Sequence, residues 1–478
     1  MTTMVGQLGK LIVQLAGVVV LSRLLTPEDF GLIAMVAVFV GLGELLRDFG
    51  MPTAALQAKE LSQAQASNFF WANTLLGALA SALLIASTPL IVLLYGQAEL
   101  AAVVPVLAIA PLLNGVQAQL QVRLARHLRF GAIALTDVLA SVAGLLAACA
   151  VALAGFGYWA LVAQSLTIAV VLLASRWVLT GWAPGRPSRG AGSRRQLTAG
   201  GHFGLAQALT YAASNVDTLV IGSRFGPEWA GYYNRAFQVL TVPVSALLGP
   251  LTQVVVPTVN HAVKAGRNET DVLLRIQFAL GFVVVGVFLA AAVTAPSLIP
   301  LALGPNWTES VALFQILAIG GCVQVLSYVS YWAFIVGDHG KQLLYYNLVT
   351  KPLAVCFILI GSVFGPLGVA AGYSLGLVVS WPINLLWLAR LSPRGSRAFF
   401  VSGLRVLISA GIAYVVGSFG LMALPDLGLV GDVAVGTCVS LIAFVLVLLV
   451  AQGSRNELMF TVRAGRAILR RGAIDDGE

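Results

Sequence analysis

Charge is scarce in this chain: of 478 residues only 10% are Asp, Glu, Lys or Arg. Soluble domains carry roughly a quarter, so a water-solvated surface for a chain of this size is excluded. Cysteine is scarce too. The four present (Cys149, Cys322, Cys356 and Cys438) lie inside apolar segments, with no metal-ligand spacing and no disulfide framework. Neither a metal nor a cofactor is expected. A nucleophile–base pair and a glycine-rich phosphate loop are also missing, and loops such as 96–99 and 304–309 are too short to build a catalytic site. The chain therefore does not read as an enzyme. Its net charge of +9 does not point to nucleic acid, because the basic residues sit in short loops between apolar runs. No cleavable signal peptide is expected, since the first apolar run leads straight into the next.

What the chain has is apolar length: 59% of its residues are hydrophobic. Runs of about 20 apolar residues, enough to cross the hydrocarbon core, fall at 4–25, 30–46, 69–95, 100–120, 130–153, 158–179, 203–223, 230–256, 276–303, 310–336, 343–363, 366–388, 399–421 and 429–450. The pattern predicts an all-α polytopic membrane protein of about fourteen transmembrane helices. Alternate loops collect the basic residues, among them Arg47, Arg123, Arg126, Arg129, Arg176, Arg186, Lys264, Arg275, Lys341, Arg394 and Arg455. The opposite loops hold only Arg23, Arg224 and Arg235, while Lys10 and Lys351 lie within spans. The positive-inside rule then places both termini in the cytoplasm.

A short echo organises the chain. Ser22-Arg23-Leu24-Leu25-Thr26-Pro27-Glu28-Asp29-Phe30-Gly31 returns as Ser223-Arg224-Phe225-Gly226-Pro227-Glu228-Trp229-Ala230-Gly231. Leu107-Ala108-Ile109-Ala110 likewise matches Leu317-Ala318-Ile319-Gly320, and Phe156-Gly157 matches Phe364-Gly365. Two related halves are a transporter signature. The expected layout is an N-lobe of six spans at 1–180, a flexible cytoplasmic linker at 181–201 and a C-lobe of six spans at 202–391. Spans thirteen and fourteen (392–452) stand outside the repeat, and a basic tail (453–478) lies on the inner leaflet. With six spans per lobe, the pseudo-twofold runs along the membrane normal.

Thr26-Pro27-Glu28-Asp29 is a helix start: Thr caps, Pro fits the first helical position, and the acids complement the positive helix end. Arg23 and Arg224 beside the two turns have two readings, interfacial anchors or a cationic rim for an anionic substrate. Ionisable groups within spans are costly and functional by default; here they are Glu44, Asp137, Asp217, Arg235 and Lys351. Glu44, Arg47 and Asp48 read as a local salt-bridge cluster. The stretch Arg123-Leu124-Ala125-Arg126-His127-Leu128-Arg129 reads as a positive-inside loop or as phosphate capture at the inner mouth.

The segment Leu21–Leu32, with Asn215-Val216-Asp217-Thr218-Leu219-Val220-Ile221-Gly222 and Gly231-Tyr232-Tyr233-Asn234-Arg235-Ala236, resembles the Wzx-type polysaccharide (O-antigen) flippases of the MOP exporter superfamily. The resemblance implies two bundles around a cavity that opens alternately to each side of the bacterial inner membrane. It implies translocation of undecaprenyl-pyrophosphate-linked oligosaccharide for O-antigen, capsule or exopolysaccharide assembly. The partners implied are that lipid-linked oligosaccharide, membrane lipids, a polysaccharide polymerase and a chain-length regulator. Candidate cavity residues are Arg23, Arg224, Arg235, Lys351 and Asp137 for charge, with Asn215, Asn347 and Gln207 for the glycan. In the lipid II flippase branch, a span-seven acid joins an Asn and an Asp on span eleven to bind sodium. Here Asp217 would face Asn347 and Lys351, so a basic residue stands where that site has its second acid. An Asp217–Lys351 pair, ion coupling through Asp217 and a structural hydrogen bond all stay open. The alternative functions are a lipid II flippase, a drug/cation antiporter and, last, a polytopic glycan polymerase or ligase.

Overall fold

A backbone in hydrocarbon must satisfy its own hydrogen bonds, and among the described residues every regular element is helical. The computed structural model describes residues 2–48, 55, 56, 61–188, 207, 210–425, 427–450, 455, 457 and 459. Most of the expected basic tail, and positions 189–201 of the expected linker, lie outside them. In chain order the helices are α1 (Thr2–Leu24), α2 (Pro27–Asp48), α3 (Gln63–Ala86), α4 (Thr88–Tyr95), α5 (Leu100–Leu107), α6 (Ile109–Arg126), α7 (Phe130–Leu153) and α8 (Trp159–Thr180). They continue as α9 (Val216–Lys264), α10 (Glu269–Leu303), α11 (Glu309–Val336), α12 (Gly340–Gly361), α13 (Gly365–Ala389), α14 (Pro393–Met422) and α15 (Gly428–Val450).

Twelve helical stretches among the described residues are long and apolar enough to cross a membrane. Two of them, Val216–Lys264 (49 residues) and Gly340–Ala389 (50 residues), are about twice the length one crossing needs. Each is interrupted. Gly226 breaks α9, and a 3-10 turn at Ser362–Phe364 with Gly365 at φ 87° separates α12 from α13. Two expected single runs are also broken. The run 69–95 divides at Ser87, whose Oγ turns back to Leu84 O at 2.8 Å just before Pro89. The run 100–120 divides at Ala108, between Pro105 and Pro111. Proline interrupts the hydrogen-bond ladder without interrupting apolarity, so an apolar run hides the break.

The chain divides into two compact units, Met1–Asn234 and Arg235–Glu478. In the first, α1 packs on α7, α2 on α3, α3 on α6, and α8 on both α6 and α7. In the second, α10 packs against α11, α14 and α15, α12 against α13, and α13 against α11. The helices expected to stand outside the repeat are thus integral to the second unit. Phe278, Val285, Leu289 and Val293 of α10 interlock with Val406, Ala410 and Ala413 of α14 and with Ala443, Phe444 and Leu448 of α15.

The first residues of the expected flexible linker are pinned. Trp182, 5% exposed, donates its indole N–H to Gln63 Oε1 at 2.7 Å. Asn68 binds Ser188 through both its amide groups, and Ser67 Oγ accepts from the Gly185 N–H, each bond at 2.9 Å. Side chains of α3 satisfy a strap that has no secondary structure of its own. Gly, Pro and Arg in the composition conceal this.

Candidate functional site

The repeated turn is built twice, with different means. In the first copy Thr26 caps α2. Its Oγ1 donates to Asp29 Oδ2 at 2.8 Å, its N–H to the same oxygen at 2.9 Å, and the Asp29 N–H returns to Oγ1 at 3.3 Å. This is a capping box with Asp as its third helical residue. In the second copy Gly226 takes φ 86° and ψ 180°, a backbone shape essentially reserved for glycine, and the helix resumes at Pro227. Tyr232 Oη then donates to Glu228 Oε1 at 3.1 Å.

The two copies touch. A Cβ on Gly31 would overlap the carbonyl oxygen of Pro227, and a Cβ on Gly231 would overlap the carbonyl oxygen of Pro27. That reciprocity is a local twofold, and it uses the small residues that let helix backbones meet in a bilayer. Contact continues along α2, where a Cβ on Gly222 would strike Met35 and Tyr95. The opening of the second repeat therefore packs on α2, which is why the first unit runs on to Asn234. Arg23 and Arg224, beside the turns, are both exposed.

Asp217 precedes the break in α9 and Tyr233 follows it. Tyr233 Oη donates to Asp217 Oδ2 at 2.5 Å, with the two residues only 1% and 2% exposed. The bond ties the two arms of the turn; Tyr233 is a partner the sequence did not reveal, and Lys351 belongs to the other unit. Asn215 and Asn347 each spend an amide donor on their own helix, at Tyr211 O (2.8 Å) and Leu343 O (2.9 Å). Lys351 is half-buried one turn beyond Asn347, and Gln207 is exposed. Arg235 is buried, at 5% exposure, and donates through Nη1 to Gln238 Oε1 at 2.9 Å.

Asp137 belongs to a chain of polar contacts through the first unit. On α2, Arg47 pairs with Glu44 at 2.8 Å and with Asp48 at 3.3 Å, the expected cluster. Asn114 on α6 donates to Glu44 Oε1 at 2.7 Å and accepts from Gln117 Nε2 at 3.3 Å. Arg176 on α8 donates to Gln117 Oε1, to Gln121 Oε1 at 3.1 Å and to Asp137 Oδ1 on α7 at 2.6 Å. Lys10 on α1 lies 3.8 Å from Asp137 Oδ2. Three cations meet three carboxylates, so the chain is neutral and no charge is stranded in the bilayer. Arg176, counted above with the loops, is 2% exposed inside the bundle. The signal was present, because Arg176 falls inside the expected span 158–179.

The basic stretch at the end of α6 holds neighbouring segments together. Arg126 Nη1 donates to Ala55 O at 2.9 Å, Arg129 Nη1 to Leu179 O at 3.0 Å, and the Arg123 guanidinium lies 5.5 Å from the Trp182 ring centroid. Among the described residues no group of His, Cys, Asp and Glu has the geometry to hold a metal ion.

Helical spans with a repeated turn and paired charges between them define an all-α polytopic membrane protein. The chain belongs to the polysaccharide biosynthesis protein family, whose pattern matches residues 20–312. It is 27% identical over 316 residues to the lipopolysaccharide biosynthesis protein WzxC of Escherichia coli (strain K12), covering 64% of this chain and 62% of that protein. To the teichuronic acid biosynthesis protein TuaB of Bacillus subtilis (strain 168) it is 26% identical over 338 residues, 66% of each. The chain thus matches just under two thirds of the length of these relatives. Among solved structures, the lipid II flippase MurJ in an inward closed conformation superposes with a TM-score of 0.70 at 12% identity, covering 92% of this chain and 97% of that one. An inward-facing multidrug resistance MATE family transporter of the MOP superfamily gives 0.59 at 16% identity, covering 82% and 95%. The Wzx-type, MOP-superfamily resemblance read from the sequence is therefore met by family and fold.

Proposed function

We propose that this chain moves a lipid-linked oligosaccharide, carried on undecaprenyl pyrophosphate, across the bacterial inner membrane by alternating access. The product feeds O-antigen, capsule or exopolysaccharide assembly, where a polymerase and a chain-length regulator act on it. The reading is transport, not catalysis. The biosynthetic roles named for the relatives and the flippase-type fold support it. The observation that carries it is the reciprocal Gly31–Gly231 crossing. Two copies of one turn meet there through backbone and so can part without unpicking a side-chain lock, while Arg23 and Arg224 stay exposed beside them.

In this reading the basic loop ends and both termini face the cytoplasm. Arg23, Arg224, Arg235 and Lys351 meet the pyrophosphate; Asn215, Asn347 and Gln207 meet the sugars; and Asp217 is the coupling or ion-pairing group. A strain deleted for this chain should accumulate lipid-linked repeat units on the inner face of its membrane. The wild-type chain should clear them, and the Arg235→Ala variant should not. Normal export by that variant would remove Arg235 from the substrate path. Rescue of a lipid II flippase depletion, with the repeat-unit pool left uncleared, would assign the substrate to lipid II instead.

A further inference from the structure

At the end of the second unit away from Arg267, Arg275, Lys341 and Arg394, the ends of α10, α11, α14 and α15 border an open-sided cavity of about 970 Å³. Its wall is mostly apolar. Val415, Phe419, Met422 and Leu429 line it, and these four side chains are 51%, 68%, 81% and 44% exposed. Asp432, on the first turns of α15, is among the described residues the ionisable carboxylate or amine in that wall. Ser297 on α10 donates to Asp432 Oδ2 at 3.1 Å. Gln315 on α11, also in the wall, donates Nε2 to Ala292 O at 3.0 Å. Neither bond uses Asp432 Oδ1 or Gln315 Oε1, so the cavity keeps acceptor oxygens in a wall that is otherwise mostly apolar.

A carboxylate facing an apolar chamber in a bilayer needs a cation. Among the described residues no Lys, Arg or His lines this wall, so the cation comes with the occupant. An ammonium offers three donors and no acceptor, which suits a carboxylate oxygen and an amide oxygen. The apolar lining suits acyl chain. The volume is at the upper end of that of small-molecule sites, about 300–1,000 Å³, room for a head group and the first part of its chains. A phosphate or glycerol head without an amine would set an anion against Asp432. A trimethylated head would bring charge without a hydrogen-bond donor.

We propose that this cavity is a binding site for a phospholipid with a primary-amine head group, its ammonium on Asp432 and its acyl chain along Val415, Phe419 and Leu429. The site stands apart from the translocation reading and does not depend on it. The test uses the full chain in mild detergent, titrated with phosphatidylethanolamine, its mono- and dimethylated forms, phosphatidylcholine and phosphatidylglycerol of identical acyl chains, with bound lipid counted by native mass spectrometry. One phosphatidylethanolamine should be retained about tenfold more tightly than phosphatidylcholine or phosphatidylglycerol, a difference easily read in a dissociation constant, with affinity falling at each methylation. Asp432→Asn keeps the shape and can still accept from Ser297, so its melting temperature should hold while the preference for the primary amine disappears. Ser418→Trp, which fills the cavity, should lower retention of all the lipids without touching Asp432. Equal binding of the amine and choline lipids by the wild type, or an unchanged preference in Asp432→Asn, would overturn the proposal.

Discussion

Arg176 follows Phe156-Gly157 at the interval at which Asn384 follows Phe364-Gly365, and Gln117 follows Leu107-Ala108 as Ser327 follows Leu317-Ala318. The matched residues do matched things. In the first repeat Arg176 reaches Gln117 on α6 and Asp137 on α7. In the second, Asn384 on α13 donates to Ser327 Oγ on α11 at 3.3 Å, and the Tyr346 hydroxyl on α12 reaches both. The same three-helix junction is therefore a charged node in one repeat and a neutral one in the other. Its place is set by where three helices leave room for polar atoms, while its charge has diverged. Ions taken from water carry a desolvation cost that only close pairing offsets. A neutral node risks less and holds less.

The largest expected effect breaks the charged node. Arg176→Ala leaves the partly exposed Asp137 with Lys10 at 3.8 Å as its remaining ion pair, so the loss should sit at the lower end of the range of about 3–5 kcal/mol that stripping one partner from a buried pair costs. Thermal unfolding in detergent should show that loss, together with poor accumulation in the membrane. The double variant Arg176→Leu/Asp137→Leu removes both charges and, because the Lys10 side chain is exposed enough to turn outward, should recover most of it. A double variant no better than the single one would show that the node does not act as an ion pair.

Next in size is the crossing, where the repeats have stayed alike. Gly31→Val and Gly231→Val each force a side chain against a proline carbonyl. Overpacking of this kind costs about 1–3 kcal/mol. A true local twofold makes the two single effects equal. It also makes the double variant cheaper than their sum, because one intrusion has already parted the helices. Unequal single costs that add in full would mean that the two glycines act separately.

Much of this was legible in the sequence, and the parts that were not share a cause. Apolar length revealed the helices, and the Thr26 cap could be read from four adjacent residues, because both are local. The breaks at Ser87 and Ala108 were hidden because apolarity continues across them. Lys10 was visible as a charge within a span, but its partner Asp137 sits on another helix at no fixed spacing. Glu44, Arg47 and Asp48 formed a cluster one turn long and were read correctly. The glycines at 31 and 231 stood in plain view in the echoed turn, yet nothing in either copy says that it touches the other. Composition misread the strap after α8 because side chains of α3, more than a hundred residues earlier, hold it.

The smallest expected effect tests the neutral node. Asn384→Leu removes the donor to Ser327 from a residue 3% exposed, and a net hydrogen bond of this kind is worth about 0.5–1.5 kcal/mol. The partners left behind are hydroxyls, which can rotate to carbonyls of their own helices, as Thr350 already does at Tyr346 O (2.9 Å). The Asp137 carboxylate cannot turn to a carbonyl and keeps only Lys10, at 3.8 Å, and this asymmetry is what the comparison rests on. The shift in unfolding temperature for Asn384→Leu should therefore be a minor fraction of that for Arg176→Ala. Equal shifts would mean that the cost lies in disturbing the three-helix junction, and that its charge in the first repeat carries no separate weight.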